Sequence, residues 1–407
     1  MTSKQQEVGE QHLKPRFSRD EMAVLVVLFS AMVTVATGIQ MGNALFPSLS
    51  RLMGVPVSRV TLLVSVWAFT GLLSPLFGPP SDRHGHSTFV LVGLGVFTLG
   101  NLLCVVAPDF AALLVFQVMV GLGYAVFGFS TSAVVGDVFA YETRARAMGI
   151  VRLAVSVTAL VGVPVAATIA ERVTARGSFG AVGGMGLVIL AVALPLLWRR
   201  PGEAKTHTAG AEVNPWRTIR GIAQQRSAVV GLLTVLGWAA VPTGVFIYLA
   251  AWLEQTFQLS EAQVGLTFSM AGVGGLVGNA LTAVWADRLG KKRSALLGLL
   301  VLSVTAMLLL RAPVVMAVAV GIAVFVAALE FGVASFSTLM TELTPTSRGT
   351  LMSLFSLFNG LGTGAVPIIM GPLWESGSYA MITLVLGVLG LSTAVVIGLF
   401  VSEERAL

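Results

Sequence analysis

One acidic residue lies alone in a long apolar stretch of the sequence. Glu330 belongs to the segment AALEFGV, and residues 312–341 contain no other charged side chain. A carboxylate in hydrocarbon is costly, so an ionisable residue at membrane depth usually faces a cavity or a partner and marks a functional site. Removal from water favours the protonated form of a carboxyl group, which can then load and release protons as its access to water changes. We therefore predict that Glu330 couples proton movement to the activity of the protein.

Two other roles for Glu330 are open from the sequence. The carboxylate can bind a cationic cargo directly, or a protonated Glu330 can hydrogen-bond to a neighbouring helix with no functional role. Helical periodicity places Val333, Ala334, Ser337 and Thr341 on the same face as Glu330, opposite an apolar face. This stripe is predicted to line a central cavity near mid-membrane.

A second pattern with possible chemistry is a set of acids and arginines that occurs twice, at an offset of 205 residues. The motif DRxG begins at Asp82 and again at Asp287, and the same offset aligns two acids near helix ends, each followed by an arginine. Ion pairs at such partly wet positions can hold two bundles together in one state and release them in another; the alternative is a static topology anchor. The predicted gating residues are Asp82, Arg83, Asp137, Arg144, Asp287, Arg288, Glu342 and Arg348.

Uncharged polar and aromatic residues recur within several apolar runs. Each one taken singly fits a satisfied core amide or a packing aromatic, but together they predict an amphipathic pocket for a largely apolar solute with some hydrogen-bonding groups. The cavity candidates are Thr37, Gln40, Asn43, Gln117, Tyr124, Arg152, Trp238, Phe246, Phe355, Phe358 and Asn359.

Arg152 is the other charge within the apolar runs. It lies about six residues into its predicted span, roughly 9 Å along a helix. A long side chain at that depth can extend to the membrane surface; otherwise it forms an anion site or a partner for an acid in the cavity.

The composition shows what must position these residues. The chain has 407 residues, 56% of them hydrophobic and 11% charged, and its mean hydropathy is +0.88, all of which indicate an integral membrane protein. The formal charge of +6 comes from basic residues in short loops, which argues against nucleic acid as a partner. The single Cys104 excludes an internal disulfide, and His84 and His86 have no third ligand nearby, so neither a metal nor a cofactor is predicted.

Apolar runs long enough to cross a bilayer occur twelve times, without the alternation of a β-barrel. The sequence therefore predicts an all-α membrane protein of twelve transmembrane helices in two pseudo-symmetric six-helix bundles. The predicted spans are 22–46, 60–78, 87–107, 110–136, 147–170, 178–198, 227–252, 262–285, 293–311, 314–340, 350–372 and 378–401.

The distribution of basic residues predicts that both termini are cytoplasmic. With that orientation the inside segments hold nineteen of the 25 Lys and Arg residues, outside loops hold five, and Arg152 lies within a span. The predicted organisation is a cytoplasmic tail (1–21), a first bundle (22–198), a linker (199–226), a second bundle (227–401) and a cytoplasmic tail (402–407). Within the linker, the segment WRTIRGIAQQ is predicted to form a short helix on the membrane surface.

The duplicated loops carry a family resemblance. The segment GPPSDRHGH resembles the signature loop of the major facilitator superfamily, ADRLGKK repeats it in the second half, and GDVFAYETRARAMG resembles the junction of spans 4 and 5. The segment LVGVPVAA partly resembles the antiporter motif of span 5. Within the superfamily the chain is similar to the twelve-span drug and metabolite efflux branch. Two positions depart from the pattern: His86 replaces the usual second basic residue, and Gln117 replaces the span 4 arginine to which the family assigns a part in proton coupling.

The resemblance implies a monomeric bacterial inner-membrane transporter that exports a small drug-like compound by proton antiport with alternating access, as in multidrug resistance. No nucleotide motif is present. Three alternative functions stay open. The first keeps the fold but has a sugar, metabolite or lipid-like cargo, moved by facilitated transport or symport. The second is a membrane enzyme, for which the sequence contains only one deep acid and no intramembrane histidine, and the third is a non-transporting sensor. With Gln117 in place of the arginine, Glu330 is the only deep acid available for coupling.

Overall fold

The computed structural model describes residues 17–198, 215–343, 348–377 and 379–401, and all regular elements within these ranges are helices. Ten of the helices are long and apolar enough to cross a membrane. Two further helices, the shorter α3 (Leu62–Gly71) and α13 (Lys291–Leu308), complete a bundle of twelve spans. Residues 1–16 of the predicted N-terminal tail, the C-terminal tail and most of the predicted linker lie outside the described residues.

The first six spans end before residue 199. Span 2 is formed by the short α2 and by α3, and span 5 is divided into α7, a π-helical turn (Thr158–Gly162) and α8. The elements are α1 (Arg19–Met53), α2 (Val57–Val60), α3, α4 (Gly78–His84), α5 (His86–Val105), α6 (Phe110–Val138), α7 (Tyr141–Val157), α8 (Val163–Arg172) and α9 (Ala175–Trp198).

The second six spans follow a short helix, α10 (Pro215–Gln224), which lies where the sequence predicts a surface helix. The spans are α11 (Arg226–Phe257), α12 (Glu261–Leu289), α13, α14 (Val315–Leu343), α15 (Arg348–Glu375) and α16 (Tyr379–Phe400). With an even number of spans, the described chain begins and ends on the same side of the bundle. We call that side the terminal end and the other side the closed end.

Local sequence signals explain where several helices begin. At α1 the Ser18 hydroxyl accepts from the Glu21 backbone N–H (3.1 Å), and the Ser18 N–H donates to the Glu21 carboxylate (2.7 Å). Ser260 and Gln263 form the same reciprocal cap at α12. Such caps satisfy backbone donors that the first turn of a helix leaves free.

Close packing inside the second half depends on glycine. A Cβ atom at Gly274 of α12 would lie 2.2 Å from the Ala323 oxygen of α14, and one at Gly278 would lie 2.5 Å from the Ala327 oxygen. Small residues at this four-residue spacing let membrane helices approach backbone to backbone. The approach fixes α14, and with it Glu330, directly against α12.

Two spans differ from their predicted form. Span 2, predicted as one helix over 60–78, is interrupted at Thr61 and again after Gly71. The segment beyond Gly71 contains three prolines, which lack the N–H that a continuous helix needs. Span 5 begins at Tyr141 rather than at residue 147, and it widens into the π turn just before Pro164, whose ring would clash with a regular turn.

Candidate functional site

A cavity between the two halves lies among α3, α6 and α15. It has a volume of about 570 Å³ and includes three residues predicted from the sequence, Tyr124, Phe355 and Asn359. Its wall also includes Met352 and Ser353, which lie just over a turn from the start of α15, so the cavity extends toward the terminal end. No described residue in its wall is charged. We call it the larger cavity.

A smaller cavity of about 190 Å³ lies among α1, α3 and α11. It includes three more predicted residues, Gln40, Asn43 and Phe246. Trp67 of α3 lines both cavities, and its ring meets the ring of Tyr124 edge to face with centroids 6.2 Å apart. Trp67 therefore borders both spaces. We call this second space the smaller cavity.

A charged residue, Glu330, lies at another side of the interface between the two halves. Glu330 of α14 is only partly buried, and its Cβ lies next to Gly278 of α12. It has no hydrogen bond or ion pair within the described part of the chain. The other members of its predicted stripe, Val333, Ala334, Ser337 and Thr341, are also partly exposed. The carboxyl group is thus at mid-helix with free bonding capacity.

Arg152 is the charged group that acts on Glu330 across the interface. Its positive charge interacts electrostatically with the Glu330 carboxylate, although Arg152 belongs to the first half of the chain and Glu330 to the second. Because α7 begins at Tyr141, Arg152 lies eleven residues into its span, about 16 Å along the helix. The helix therefore starts six residues before the predicted span, and Arg152 lies farther from the helix start than the roughly 9 Å expected from the sequence.

The packing that brings these charges together involves close contact between the halves. A Cβ atom at Gly272 of α12 would lie 2.7 Å from the Ser156 oxygen, and one at Gly275 would lie 3.1 Å from the Ser156 hydroxyl. Ser156 follows Arg152 by one helical turn. Any relative movement of the two halves at this contact must therefore change the separation of Arg152 and Glu330.

The closed end is held by ion pairs between the halves. Arg51, at the end of α1, donates to Glu254 of α11 and to Glu261 of α12, each at 2.8 Å. On the side of α8, the Ala262 backbone N–H donates to the Glu171 carboxylate at 2.6 Å. These contacts join the first half to the second around the start of α12.

Helices α2 and α3 of the first half contact α15 of the second half on the remaining side. The Ser65 hydroxyl donates to the Gly364 carbonyl oxygen at 2.7 Å, and the Ser58 hydroxyl donates to the Glu375 carboxylate. Both contacts lie on the closed-end side of the larger cavity. The two halves thus touch at one end of the cavity, and the cavity extends away from that contact.

At the terminal end the predicted gating residues that can be described form bonds within one half only. Asp137 lies 3.9 Å from the His86 ring, Glu342 pairs with Lys291, and Arg144 donates to the Gly136 carbonyl oxygen. Arg83 and Arg288 are exposed. The structure does not describe the side chains of Asp82, Asp287 and Arg348.

The remaining cavity candidates lie elsewhere in the bundle. Thr37 is buried against Gly162, Gln117 donates to the Cys104 sulfur at 3.8 Å, and Trp238 stacks on Phe336 in the second half. Phe358 packs against the hydrophobic core. These four side chains line neither of the two cavities described above.

Sequence reasoning did not identify Trp67, Arg51 or the basic residues that pair with Asp137 and Glu342. One signal was available for Trp67, because membrane tryptophans concentrate at the two interfaces and this one lies well inside a span. The pairs at the terminal end also had a signal, since His86 and Lys291 are related by the same offset of 205 residues as Asp137 and Glu342. No sequence signal identified the partners of Arg51, because Glu254 and Glu261 are about 200 residues away and the internal repeat does not relate them to Arg51.

Comparisons with known proteins agree with this architecture. A family model described as Major Facilitator Superfamily matches residues 28–252 and 228–407. The chain is 26% identical over 349 residues to "Uncharacterized MFS-type transporter YwfA" of Bacillus subtilis (strain 168), covering 84% of this chain and 83% of the relative. It is also 26% identical over 284 residues to "Probable sugar efflux transporter" of Helicobacter acinonychis (strain Sheeba), covering 69% and 70%.

A solved structure shares the fold. The crystal structure of a D-xylose-proton symporter superimposes with a TM-score of 0.77, covering 94% of this chain and 98% of the symporter at 14% sequence identity.

Proposed function

The chain belongs to the major facilitator superfamily, and on that premise we propose that it is a secondary active transporter that exports a small amphipathic organic compound in exchange for protons. The observation that carries the proposal is the separation of two chemistries at the interface between the halves. An uncharged cavity lies among α3, α6 and α15, and an acid with an opposing arginine lies among α7, α12 and α14.

The larger cavity supports the cargo part of the proposal. Its volume of about 570 Å³ lies within the roughly 300 to 1,000 Å³ typical of small-molecule pockets. Aromatic rings from Trp67, Tyr124 and Phe355 combine in its wall with the polar groups of Asn359 and Ser356. An amphipathic molecule of drug-like size suits such a wall.

Glu330 supports the coupling part. When the carboxyl group is protonated it is neutral and compatible with an apolar interface; when ionised it is stabilised by the charge of Arg152 in the other half. A conformational change that separates the two halves here removes that stabilisation and favours proton uptake. The reverse movement brings the guanidinium back and favours proton release.

The contacts at the closed end support an alternating-access cycle. In the state described, Arg51 and α3 join the halves at the closed end, while the described ion pairs at the terminal end remain within one half. In the opposite state the closed-end contacts break, and the charged loops at the terminal end bind across the interface. We place the terminal end in the bacterial cytoplasm because of its excess of Lys and Arg, so the state described faces inward. The chain is proposed to act as a monomer.

A sugar or another neutral metabolite is the second candidate cargo. The amide groups of Gln40, Asn43 and Asn359 in the two cavities favour it, and one relative bears the name of a sugar efflux transporter. Competition between a hexose and an aromatic dye for the reconstituted transporter separates these two cargo classes.

The test of the proposed function is efflux of the uncharged dye Nile red from bacterial cells that express the chain. Expressing cells are expected to retain less dye than cells with an empty vector, and a protonophore should abolish the difference. Equal retention in both cells, or efflux that a protonophore leaves unchanged, would contradict proton-driven export.

A further inference from the structure

We infer that the cargo is an uncharged molecule that carries both a flat ring and several hydrogen-bonding groups, and that Trp67 holds the ring. The inference rests on the proposed transport function and narrows its substrate class. It excludes the cationic cargo that Glu330 alone would suggest. It also assigns a binding role to a residue of α3 that the sequence did not single out.

The position of Trp67 provides the first argument. Its indole ring lies between the larger and the smaller cavity, partly exposed to both, and meets the Tyr124 ring edge to face. An edge-to-face contact leaves at least one face of the Trp67 indole ring free of Tyr124, and that face is open to stacking. A ring that enters either cavity from the terminal end therefore meets Trp67 at the junction of the two spaces.

Unused hydrogen-bonding groups provide the second argument. The side chains of Gln40, Asn43, Tyr124 and Asn359 line the two cavities, and none of them has a hydrogen bond within the described part of the chain. Many polar side chains of the spans outside the cavities donate instead to a backbone carbonyl oxygen of their own helix. Asn279 of α12, for example, donates to the Gly275 carbonyl oxygen at 2.8 Å.

The chemistry of the four groups defines what they can bind. Each amide offers two donor hydrogens and an acceptor oxygen, and a phenol offers one of each. Gln40, Asn43 and Tyr124 are partly buried, and partly buried polar groups are costly unless they are paired, so a ligand with several hydroxyl or carbonyl groups gains from binding them. Asn359 is exposed and can bind the same ligand at the cavity wall. A purely apolar ligand would leave them unpaired.

Absence of charge provides the third argument. Neither cavity has a Lys, Arg, Asp, Glu or His among its lining residues in the described parts of the chain. A charged ligand would lose its water without gaining a counter-ion, which is far more costly than desolvation of a neutral polar group. The two deep charges, Arg152 and Glu330, lie at the interface formed by α7, α12 and α14 and interact with each other.

The test uses three probes that share one scaffold and differ in charge. They are 4-nitrophenyl β-glucoside, which is neutral, the corresponding glucuronide, which is an anion, and the corresponding glucosaminide with a free amine, which is a cation near neutral pH. Binding to the purified full-length chain in nanodiscs is measured by titration calorimetry at pH 7. The neutral probe is expected to bind at least about tenfold more tightly than either charged probe, a difference of about 1.4 kcal/mol.

Variants assign the site to Trp67. Trp67→Ala is expected to weaken binding of the neutral probe about tenfold or more, as is typical when a central aromatic contact is removed, whereas Trp67→Phe should retain part of the affinity. Trp285→Ala is the matched control, because Trp285 is 54% exposed and lines neither cavity. Trp67→Phe keeps an aromatic ring at the site, and unchanged thermal unfolding of Trp67→Ala excludes misfolding as the cause of its loss.

Three results would overturn the inference. They are tighter or equal binding of the cationic or anionic probe, unchanged affinity in Trp67→Ala, and no saturable binding of the neutral probe. Because binding is measured without a pH gradient, failure of proton-driven export leaves this result intact. Conversely, if the chain exports Nile red but binds the neutral and charged probes equally tightly, the transport function is supported and the proposed substrate class is rejected.

Discussion

Two regions of the interface between the halves correspond to each other under the internal repeat, yet their chemistry differs. At the offset of 205 residues, Glu330 on α14 corresponds to Ala125 on α6. Counted from Arg144 and Arg348, Arg152 on α7 corresponds to Ser356 on α15. Ala125 and Ser356 both line the larger cavity, whereas Arg152 and Glu330 interact across the opposite region.

This difference teaches how a duplicated bundle can divide two tasks. A single residue exchange at each of two equivalent positions gives one region a charge pair and leaves the other free of charge. On our proposal the uncharged region binds the cargo and the charged region carries the proton. Both regions lie between helices of different halves, so one relative movement of the halves acts on cargo and proton together.

The largest effect is expected at Asp82, which belongs to the short helix α4 at the terminal end. A charge-assisted contact is worth about 1.5 to 3 kcal/mol, so Asp82→Asn should slow transport at least about tenfold. Both uphill transport and exchange should fall, while cargo binding persists. Counterflow in proteoliposomes and equilibrium binding measure the two quantities.

Asp287→Asn, near the end of α12, is the control for the equivalent position of the second half. Normal transport rates in Asp82→Asn would reduce the repeated motif to a topology signal.

An acid introduced into the uncharged region tests whether the absence of charge there determines cargo binding. Ala125→Glu places a carboxyl group in the larger cavity at the position equivalent to Glu330. A desolvated charge is costly, so at pH 8 binding of the neutral aryl glucoside should be at least about tenfold weaker than in Ala125→Gln, which adds the same bulk. Equal affinities in the two variants would show that the absence of charge does not determine cargo binding.

Removal of the arginine tests the charged region alone. Arg152→Gln should lower uphill transport several-fold, because ionised Glu330 loses its partner in the other half, and should leave cargo binding unchanged. Arg152→Lys retains the charge and should retain most of the transport. Accumulation in proteoliposomes driven by a pH gradient gives the comparison. Unchanged accumulation in Arg152→Gln would indicate that Arg152 serves only as a membrane-surface anchor.

The smallest effect is expected at the closed end. The Arg51 side chain is 59% exposed, and exposed ion pairs contribute only about 0.2 to 1 kcal/mol each. Arg51→Gln removes two such pairs, together worth about 0.4 to 2 kcal/mol, and should therefore raise the population open at this end about two- to thirty-fold, with little effect on the transport rate. Spin labels at the exposed residues Leu52 and Gln255, introduced after Cys104→Ser, report the separation by electron resonance. An unchanged distance distribution would show that these ion pairs do not hold the end closed.

The sequence predicts the twelve spans well because run length alone decides whether a helix can cross a membrane. It predicts interruptions less well, since in span 2 the break depends on prolines that a hydropathy average hides. The repeat was visible because loops with charged residues keep their spacing. The structure then shows that His86 and Lys291 hold equivalent positions beside Asp137 and Glu342.

The least predictable feature was which neighbouring helix or cavity each side chain contacts. Three-residue spacing drifts by about 60° per step around a helix, so Thr37 contacts Gly162 while Gln40 lines the smaller cavity. Gln117 and Tyr124 do share a face, but they lie about 10 Å apart along it and have different neighbours. Gln117 contacts Cys104 of α5, and Tyr124 contacts Trp67 of α3. Neighbours of this kind depend on helix tilt, which a single sequence does not specify.

The separation of cargo binding from proton coupling is tested most directly by Glu330→Gln in proteoliposomes, with Glu330→Asp as the control that retains the acid. The same preparation and the same neutral cargo are used in two assays, accumulation driven by a pH gradient and exchange without a gradient. The account predicts that Glu330→Gln loses accumulation and exchanges the cargo near the wild-type rate. Uphill transport that persists in Glu330→Gln and remains sensitive to a protonophore would contradict it.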